Sequence, residues 1–354
     1  MVLMPRDQWM VEQLACPLDH GDLQVADGAL HCADGHRFPV IDGVPVMLSA
    51  DLAPTMIGTE QSLRRAEGGQ GDGRAPELYL ESLGISEEEK RGVVELASRG
   101  GRIDPVVAYL IAATNGLMYR HLIGSLDRYP IPPMPLPPGG GSRLLDVGCS
   151  WGRWSLSAHA RGYDVIGLDA SLGAVMAARR VAAQLRVPNR YVVGDARRLP
   201  FRAGTFEAAY SYSVLQHFAK ADATSIIREM GRVVGPGGRV KVQMAARYGL
   251  RCLYHQWRRG FTEGSGFEVR YWSPRELRDT FSEAVGPTAI TIDGFLGIGL
   301  QPADEPLMPA TLKAALRFSE SLKKVSEWVR PLMHVADSLY VESVKPVGNP
   351  GRAA

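Results

Sequence analysis

Cysteine is scarce: the chain has four in 354 residues, at 16, 32, 149 and 252. So few thiols, without close even spacings, exclude a disulfide framework and point to a reduced, cytoplasmic protein. An excess of one charge is also missing. The net charge is +2, so nothing global draws the chain to nucleic acid or to an anionic membrane. Long apolar runs are absent too. The longest, Val106 to Met118, is interrupted by Thr114, Asn115 and Gly116, which makes it too short and too polar to span a bilayer. The opening Met1-Val-Leu-Met-Pro-Arg-Asp7 soon meets further acids and lacks the layout of a leader peptide.

What is present suits a soluble globular protein, 45% hydrophobic and 22% charged, with a sizeable core. The length allows one large domain and an appendage. Arginine outnumbers lysine, through the base composition of the genome or through anion recognition. Residues 1–52 read as a small β-rich module, because Gly21, Gly28, Gly35 and Gly43 punctuate β-prone pieces. Residues 53–141 read as linker and helical lid. Within them 58–76 is a mobile linker, Ser86 and Glu89 open a helix with a capping box, and Asp104-Pro105 opens a second helix running to about His121. Pro130 to Gly141 is a stiff extended connector.

From 142 to 346 the pattern is strand–helix alternation. Strands are expected at 143–148, 164–168, 191–194, 206–211 and 239–244, with edge strands at 287–293 and 338–344. That rhythm predicts an α/β fold with a parallel sheet covered on both faces. Insertions at 245–272 and 295–335 interrupt it, and 305–335 reads as an amphipathic helical cap over the site.

Three chemical signals fall at successive strand ends. Arg143-Leu-Leu-Asp-Val-Gly-Cys-Ser-Trp-Gly-Arg153 turns through Gly148 and Gly152, where glycine permits positive φ and close ligand approach. Asp169 ends the next strand, about 20 positions on, where a carboxylate suits the paired hydroxyls of a ribose. Asp195-Ala196 ends the third, where an acid accepts from an adenine amino group and a backbone N–H donates to the ring. The fingerprint G-x-G-x-x-G is absent, and Trp151 and Arg153 crowd the space that a pyrophosphate needs. The ligand expected is therefore a nucleoside without phosphates.

The ordered set LLDVGCSWG, VIGLDAS, GDARRLPF, FEAAYSYSVLQHF and REMGRVVGPGGRVKVQM, spanning about 142–245, resembles the class I S-adenosylmethionine-dependent methyltransferases, in particular the small-molecule branch labelled type 11. The resemblance implies a Rossmann-like seven-stranded sheet whose last strand, 338–344, runs antiparallel. It also implies S-adenosyl-L-methionine as cofactor. Asp169 would hold its ribose, Asp195 and Ala196 its adenine, and Gly148, Ser211 and Tyr212 its methionine tail. Asp146, Cys149, Trp151, Ala170 and Tyr119 complete the candidate shell, and Arg120 or Arg153 would pair with the methionine carboxylate. One departure is Ser150, where many relatives carry glycine.

The N-terminal module is similar to the zinc-ribbon-like partner domains found alone or fused to methyltransferases, through LACP and RFPVIDGVPVML. Those domains bind metal through two C-x-x-C knuckles. Here Asp19 and Gly35 stand in for two of the thiolates, so no metal is expected, although His20, His31 and His36 lie nearby.

His217 is the candidate catalytic residue, as a general base or as a group that shapes the pocket; an oxygen acceptor needs a base and a neutral amine does not. Substrate recognition is assigned to His121 and to the insert, through Arg251, His255, Arg259, Arg270 and Tyr271. Arginines among aromatic rings suit a sugar-containing or anionic small molecule, or form a solvated helix face. The expected function is methyl transfer to O or N of a small polar metabolite, a sugar or natural-product intermediate. The alternatives are an RNA- or protein-modifying methyltransferase and a non-catalytic S-adenosylmethionine-binding subunit. A homodimer is left open.

Overall fold

Paired Asp-Gly turns build the N-terminal part. The computed structural model describes residues 8–54, 57–297 and 299–347; the opening residues 1–7, read above for a leader, lie outside them. A short helix α1 (Trp9–Gln13) precedes β1 (Leu23–Ala26), β2 (Ala29–Cys32), β3 (Arg37–Ile41) and β4 (Val44–Met47). Asp27-Gly28 and Asp42-Gly43 are all at positive φ, the turn chemistry that matches the twist of two-residue hairpins. The module is not free-standing. β4 runs parallel to β7 (Arg190–Gly194), placing Val46 beside Val193 and Met47 beside Gly194. All four β4 residues are buried, as a strand covered on both faces requires.

The segment expected to be a linker is partly helical: α2 spans Ile57–Ala66. The buried side of α2 is small and polar rather than apolar, which is why hydrophobic periodicity misses it. Gly58 lets the helix touch the Ser82 carbonyl, since a Cβ there would lie 2.5 Å from it. Buried Ser62 accepts from the Leu172 amide through Oγ at 2.9 Å. α3 (Glu87–Arg99) starts with the expected capping box. α4 (Pro105–Thr114) starts on Asp104, which accepts from the amides of Val106 and Val107. It stops short of His121, because Gly116 at φ 113° breaks it before a 3₁₀ turn over 117–122.

The main sheet follows from strands whose apolar residues are buried on both faces. β5 (Arg143–Val147), β6 (Asp164–Asp169), β7, β8 (Phe206–Tyr212) and β9 (Val234–Ala245) are parallel, alternating with α5 (Arg153–Ala160), α6 (Leu172–Gln184) and α7 (Lys220–Val233). α8 (Leu250–Arg258) and α9 (Pro274–Ala284) lead to β10 (Thr288–Gly294), then α10 (Ala310–Ser326) and β11 (Ser338–Val344). β11 runs antiparallel between β9 and β10. The order β1-β2-β3-β4-β7-β6-β5-β8-β9-β11-β10 contains the expected seven-stranded sheet, extended at the β7 edge by four more strands. Leu144, Leu145, Val147 and Ile166 are fully buried, each worth about 1.5–3 kcal/mol. The strand order reverses beside β5, and the crevice that opens there, beyond the strands' carboxyl ends, is where such sheets bind ligands.

The 305–335 stretch is not one helical cap. It divides into a 3₁₀ turn over 302–307, α10, and a further turn over 330–335. α10 packs beside the end of β10, where Ser319 Oγ accepts from the Phe295 amide at 3.0 Å.

Candidate active site

A cavity of about 1020 Å³ opens at the carboxyl ends of β5, β6 and β7, at the upper end of the ~300–1,000 Å³ usual for ligand pockets. Its first wall is the turn after β5. Gly148 has φ 76°, and a Cβ there would lie 2.3 Å from Val214. Ser150 adopts φ 47°, a left-handed conformation that favours glycine, and its buried Oγ has no partner. Asp169, at the end of β6, accepts from the amides of Ser150 and Ser171, each at 2.9 Å. Burial raises its carboxyl pKa, and those amides oppose the rise. At the end of β7, Asp195 is clamped by Arg197, with Nε–Oδ1 at 3.0 Å and Nη2–Oδ2 at 2.7 Å. Gly148, Ser150, Asp169, Ala170, Asp195, Ala196 and Tyr212 all line the cavity.

Other expected cofactor residues sit behind that wall and are absent from the cavity lining. Asp146 accepts from Ser155 Oγ at 2.6 Å. Burial pushes its carboxyl up to about 7, with Ser155 opposing and Asp169 adding to the rise. It ties β5 to α5. Ser211 donates to the Val147 carbonyl at 2.8 Å, and Cys149 and Trp151 are buried in the core around α6. Arg153 is not free to meet a carboxylate. Its Nη2 is paired with Asp304, and Tyr119 donates to the same carboxylate oxygen. This buried triad joins α5, the 117–122 turn and the 302–307 turn. Arg120 is exposed.

At the other end of the cavity His217 is half-buried, stacked on Phe267 with ring centroids 4.2 Å apart. Its Nδ1 lies 2.8 Å from the Phe267 carbonyl. A carbonyl only accepts, so Nδ1 carries the proton and Nε2 keeps its lone pair. Burial lowers the imidazole pKa below its ordinary value, the Phe267 carbonyl opposes, and Arg270 adds to the lowering. Arg251, His255 and Tyr271 also line the cavity. Arg270, Arg259 and His121 do not. Arg270 is buried and donates to the carbonyls of His217, Gly266 and Glu268. Arg259 holds the carbonyls of Thr262 and Val269. His121 meets the Leu307 carbonyl at 3.0 Å. These three secure loops instead of facing a ligand. Nor does the stretch 305–335 contribute a lining residue.

Residues not singled out in the sequence complete the wall. Gln216 Oε1, Gln243 Oε1, Asn115 Nδ2 and Asp337 Oδ2 are buried without partners, and all four residues line the cavity. Buried polar atoms in folded proteins nearly always have a partner, so these four are open to hydrogen bonds from a bound molecule. A glutamine near the carboxyl end of the strand Val-Lys-Val-Gln-Met-Ala was the legible sign of Gln243. Asp337 carried no such sign; its Oδ1 accepts from the amides of Arg251 and Cys252 at 2.8 and 3.0 Å, capping α8 from across the chain.

The glycine-turn end thus offers two strand-end carboxylates, a tight turn and an unpartnered Ser150 hydroxyl, while the single cation lining the cavity among the described residues, Arg251, belongs to the opposite end. That donor set fits a nucleoside bearing a polar tail and not a pyrophosphate.

Residues 144–238 match the family model described as Methyltransferase domain. The chain is 28% identical over 179 residues to the biotin biosynthesis bifunctional protein BioHC of Cellvibrio japonicus, covering 51% of this chain and 32% of that protein. It is 36% identical over 107 residues to the demethylmenaquinone methyltransferase of Corynebacterium kroppenstedtii, covering 30% and 43%. The chain therefore spans less than half the length of these curated relatives. Among solved structures it is similar to the Haemonchus contortus phosphoethanolamine N-methyltransferase 2 in complex with phosphomonomethylethanolamine and S-adenosylhomocysteine, at TM-score 0.42 and 19% identity over 60% of this chain and 50% of that one. Residues 144–238 thus carry a methyltransferase domain, in agreement with the resemblance to the S-adenosylmethionine-dependent methyltransferases drawn from the same stretch of sequence.

Proposed function

We propose that the protein transfers a methyl group from S-adenosyl-L-methionine to an oxygen atom of a small molecule with an apolar body and a polar or anionic edge. The observation that carries this reading is one cavity joining Asp169 and Asp195 to an imidazole whose Nε2 is free. S-adenosylmethionine, when bound, supplies a methyl group already activated on a sulfonium. The chain's part is alignment and exclusion of water, which contribute roughly 7–11 kcal/mol in well-oriented reactions. Asp169 would take the ribose hydroxyls, and Asp195 with the Ala196 amide the adenine. As the acceptor oxygen bonds to the methyl carbon and the carbon–sulfur bond breaks, His217 Nε2 would receive the hydroxyl proton.

The acceptor end sets the substrate class. Phe267, Val269, Tyr271 and Phe218 make its walls largely apolar, and Arg251 and His255 supply positive or donor groups. An aromatic or natural-product intermediate fits such walls better than a bare sugar, whose hydroxyls would lose water without enough partners. Names among the relatives support an acceptor with an aromatic or quinone body, since one is a demethylmenaquinone methyltransferase. The test is S-adenosylhomocysteine formation on a panel of phenols, quinols, sugars and amines. Turnover confined to amines would remove the need for His217 as a base and overturn this reading.

A further inference from the structure

The N-terminal module carries a second constellation, away from the cavity. Two tight turns face each other there. In the first, the Cys16 amide donates to the Gly21 carbonyl at 3.0 Å and the His20 amide to the Cys16 carbonyl at 2.8 Å. In the second, the Cys32 amide donates to the His36 carbonyl at 3.1 Å and the Gly35 amide to the Cys32 carbonyl at 3.2 Å. The turns bring one donor each from Cys16, Asp19, Cys32 and His36 within 4.8 Å of one another. His36 Nδ1 lies 3.4 Å from Cys16 Sγ, 3.1 Å from Cys32 Sγ and 3.1 Å from Asp19 Oδ2, and Cys32 Sγ lies 3.4 Å from the same carboxylate oxygen.

We propose that Cys16, Asp19, Cys32 and His36 bind one zinc-type divalent ion, and that this ion braces the adenine end of the cavity. A tetrahedral zinc with bonds of about 2.0–2.3 Å sets its ligand atoms roughly 3.3–3.8 Å apart, so the four donors already stand near the edges of such a tetrahedron. Two sulfurs and an imidazole select a soft or borderline ion and disfavour magnesium or calcium. The sequence-based expectation of no metal assumed that Asp19 and Gly35 replaced two ligands outright. The fold offers a different donor set: Asp19 brings an oxygen, and His36, the neighbour of Gly35, places its Nδ1 in the fourth position. Cys16 and Cys32 are buried, whereas Asp19 is exposed and His36 half-exposed, which leaves one side open for the ion to enter.

The link to the cavity is direct in the backbone. Leu14 bridges to Phe201, the Ala15 amide donates to the Pro200 carbonyl at 3.0 Å, and the Arg202 amide donates to the Gln13 carbonyl at 3.1 Å. The segment leading into the first turn thus runs beside the segment that follows Asp195 and Ala196. This bracing rests on the proposed cofactor reading; the metal site itself does not.

The test uses the full chain purified without chelators. Elemental analysis should give about one zinc per chain, and cobalt exchange should give tetrahedral visible bands with thiolate charge transfer. Cys32→Ser and His36→Ala should each lose more affinity for zinc than the roughly 10–100-fold that removal of an outer-shell partner brings, while His20→Asn should keep it. Chelation should lower the melting temperature and weaken S-adenosylmethionine binding, and added zinc should restore both. A well-folded chain that takes up no zinc, even after incubation with excess metal and desalting, overturns the site and leaves the methyltransferase reading intact. Zinc uptake with unchanged cofactor affinity on chelation overturns the bracing.

Discussion

The two ends of the cavity are built on different principles. At the glycine-turn end the polar groups hang from the carboxyl termini of β5, β6 and β7, and groups next to them in sequence or in the sheet hold them: Asp169 accepts from the amides of Ser150 and Ser171, and Asp195 from the amide and guanidinium of Arg197, two residues on. At the His217 end they come from α8, the 3₁₀ turn over 215–217 and the loop 259–271, held by arginines that grip carbonyls of the same loop and, in Arg270, the His217 carbonyl as well. The sheet sets strand ends rigidly, so a group placed there is fixed by its position. A loop has no such frame and uses its own cations to make one. In this insert Arg259 and Arg270 are therefore structural clamps, while Arg251 lines the cavity.

The sharpest attack on that contrast is His217→Asn. If the acceptor end does proton chemistry and the cofactor end only binds, kcat/KM should fall about 10²–10⁴-fold with unchanged S-adenosylmethionine affinity by calorimetry. A fall of only a few-fold would reduce His217 to a wall. The parent enzyme adds a pH signature. Burial holds His217 below its ordinary 6.5, and the base works when neutral. Activity should therefore be flat at pH 7 and above and fall with acid only as pH drops through that lowered value.

Next in size is Asp304→Ala, which leaves the Arg153 guanidinium buried and unpaired. Breaking a buried pair from one side costs about 3–5 kcal/mol, to be read from the urea midpoint. Unchanged stability would mean that the 302–307 turn does not brace the cofactor wall. Asp169→Ala should weaken S-adenosylmethionine binding by about 1–3 kcal/mol and leave acceptor KM nearly untouched, which checks that the two ends are separable. The finest test compares two arginines of one insert. Arg251→Ala, which lines the cavity, should raise acceptor KM by about 1.5–3 kcal/mol equivalent. Arg259→Ala, a loop clamp outside it, should change KM by under about 1 kcal/mol. Equal effects would erase the distinction between contact and clamp.

The sequence made one end of this cavity far more legible than the other. Gly148, Asp169, Asp195 and Ala196 were readable because each sits where a buried apolar run stops, and strand ends in a parallel sheet converge on one crevice. Arg153, Arg259 and Arg270 were misread because nothing local reveals an arginine's partner: Asp304 lies 151 residues beyond Arg153. α2 escaped because its buried face is Gly58, Thr59 and Ser62, which carry no hydrophobic period. Gln216, Asn115 and Asp337 escaped because an unsatisfied atom is defined by what surrounds it.

Local order along the chain was thus enough to determine the alternation of strands and helices, the glycine turn and the strand-end acids, since periodicity and turn chemistry act over a few residues; the antiparallel last strand was legible only through the family resemblance. Tertiary structure alone decided that β4 completes the sheet beside β7, that Arg153 answers Asp304, and that His36 joins Cys16, Asp19 and Cys32. Each of these depends on groups distant in sequence meeting within a few ångströms, and only packing of the whole chain sets those distances.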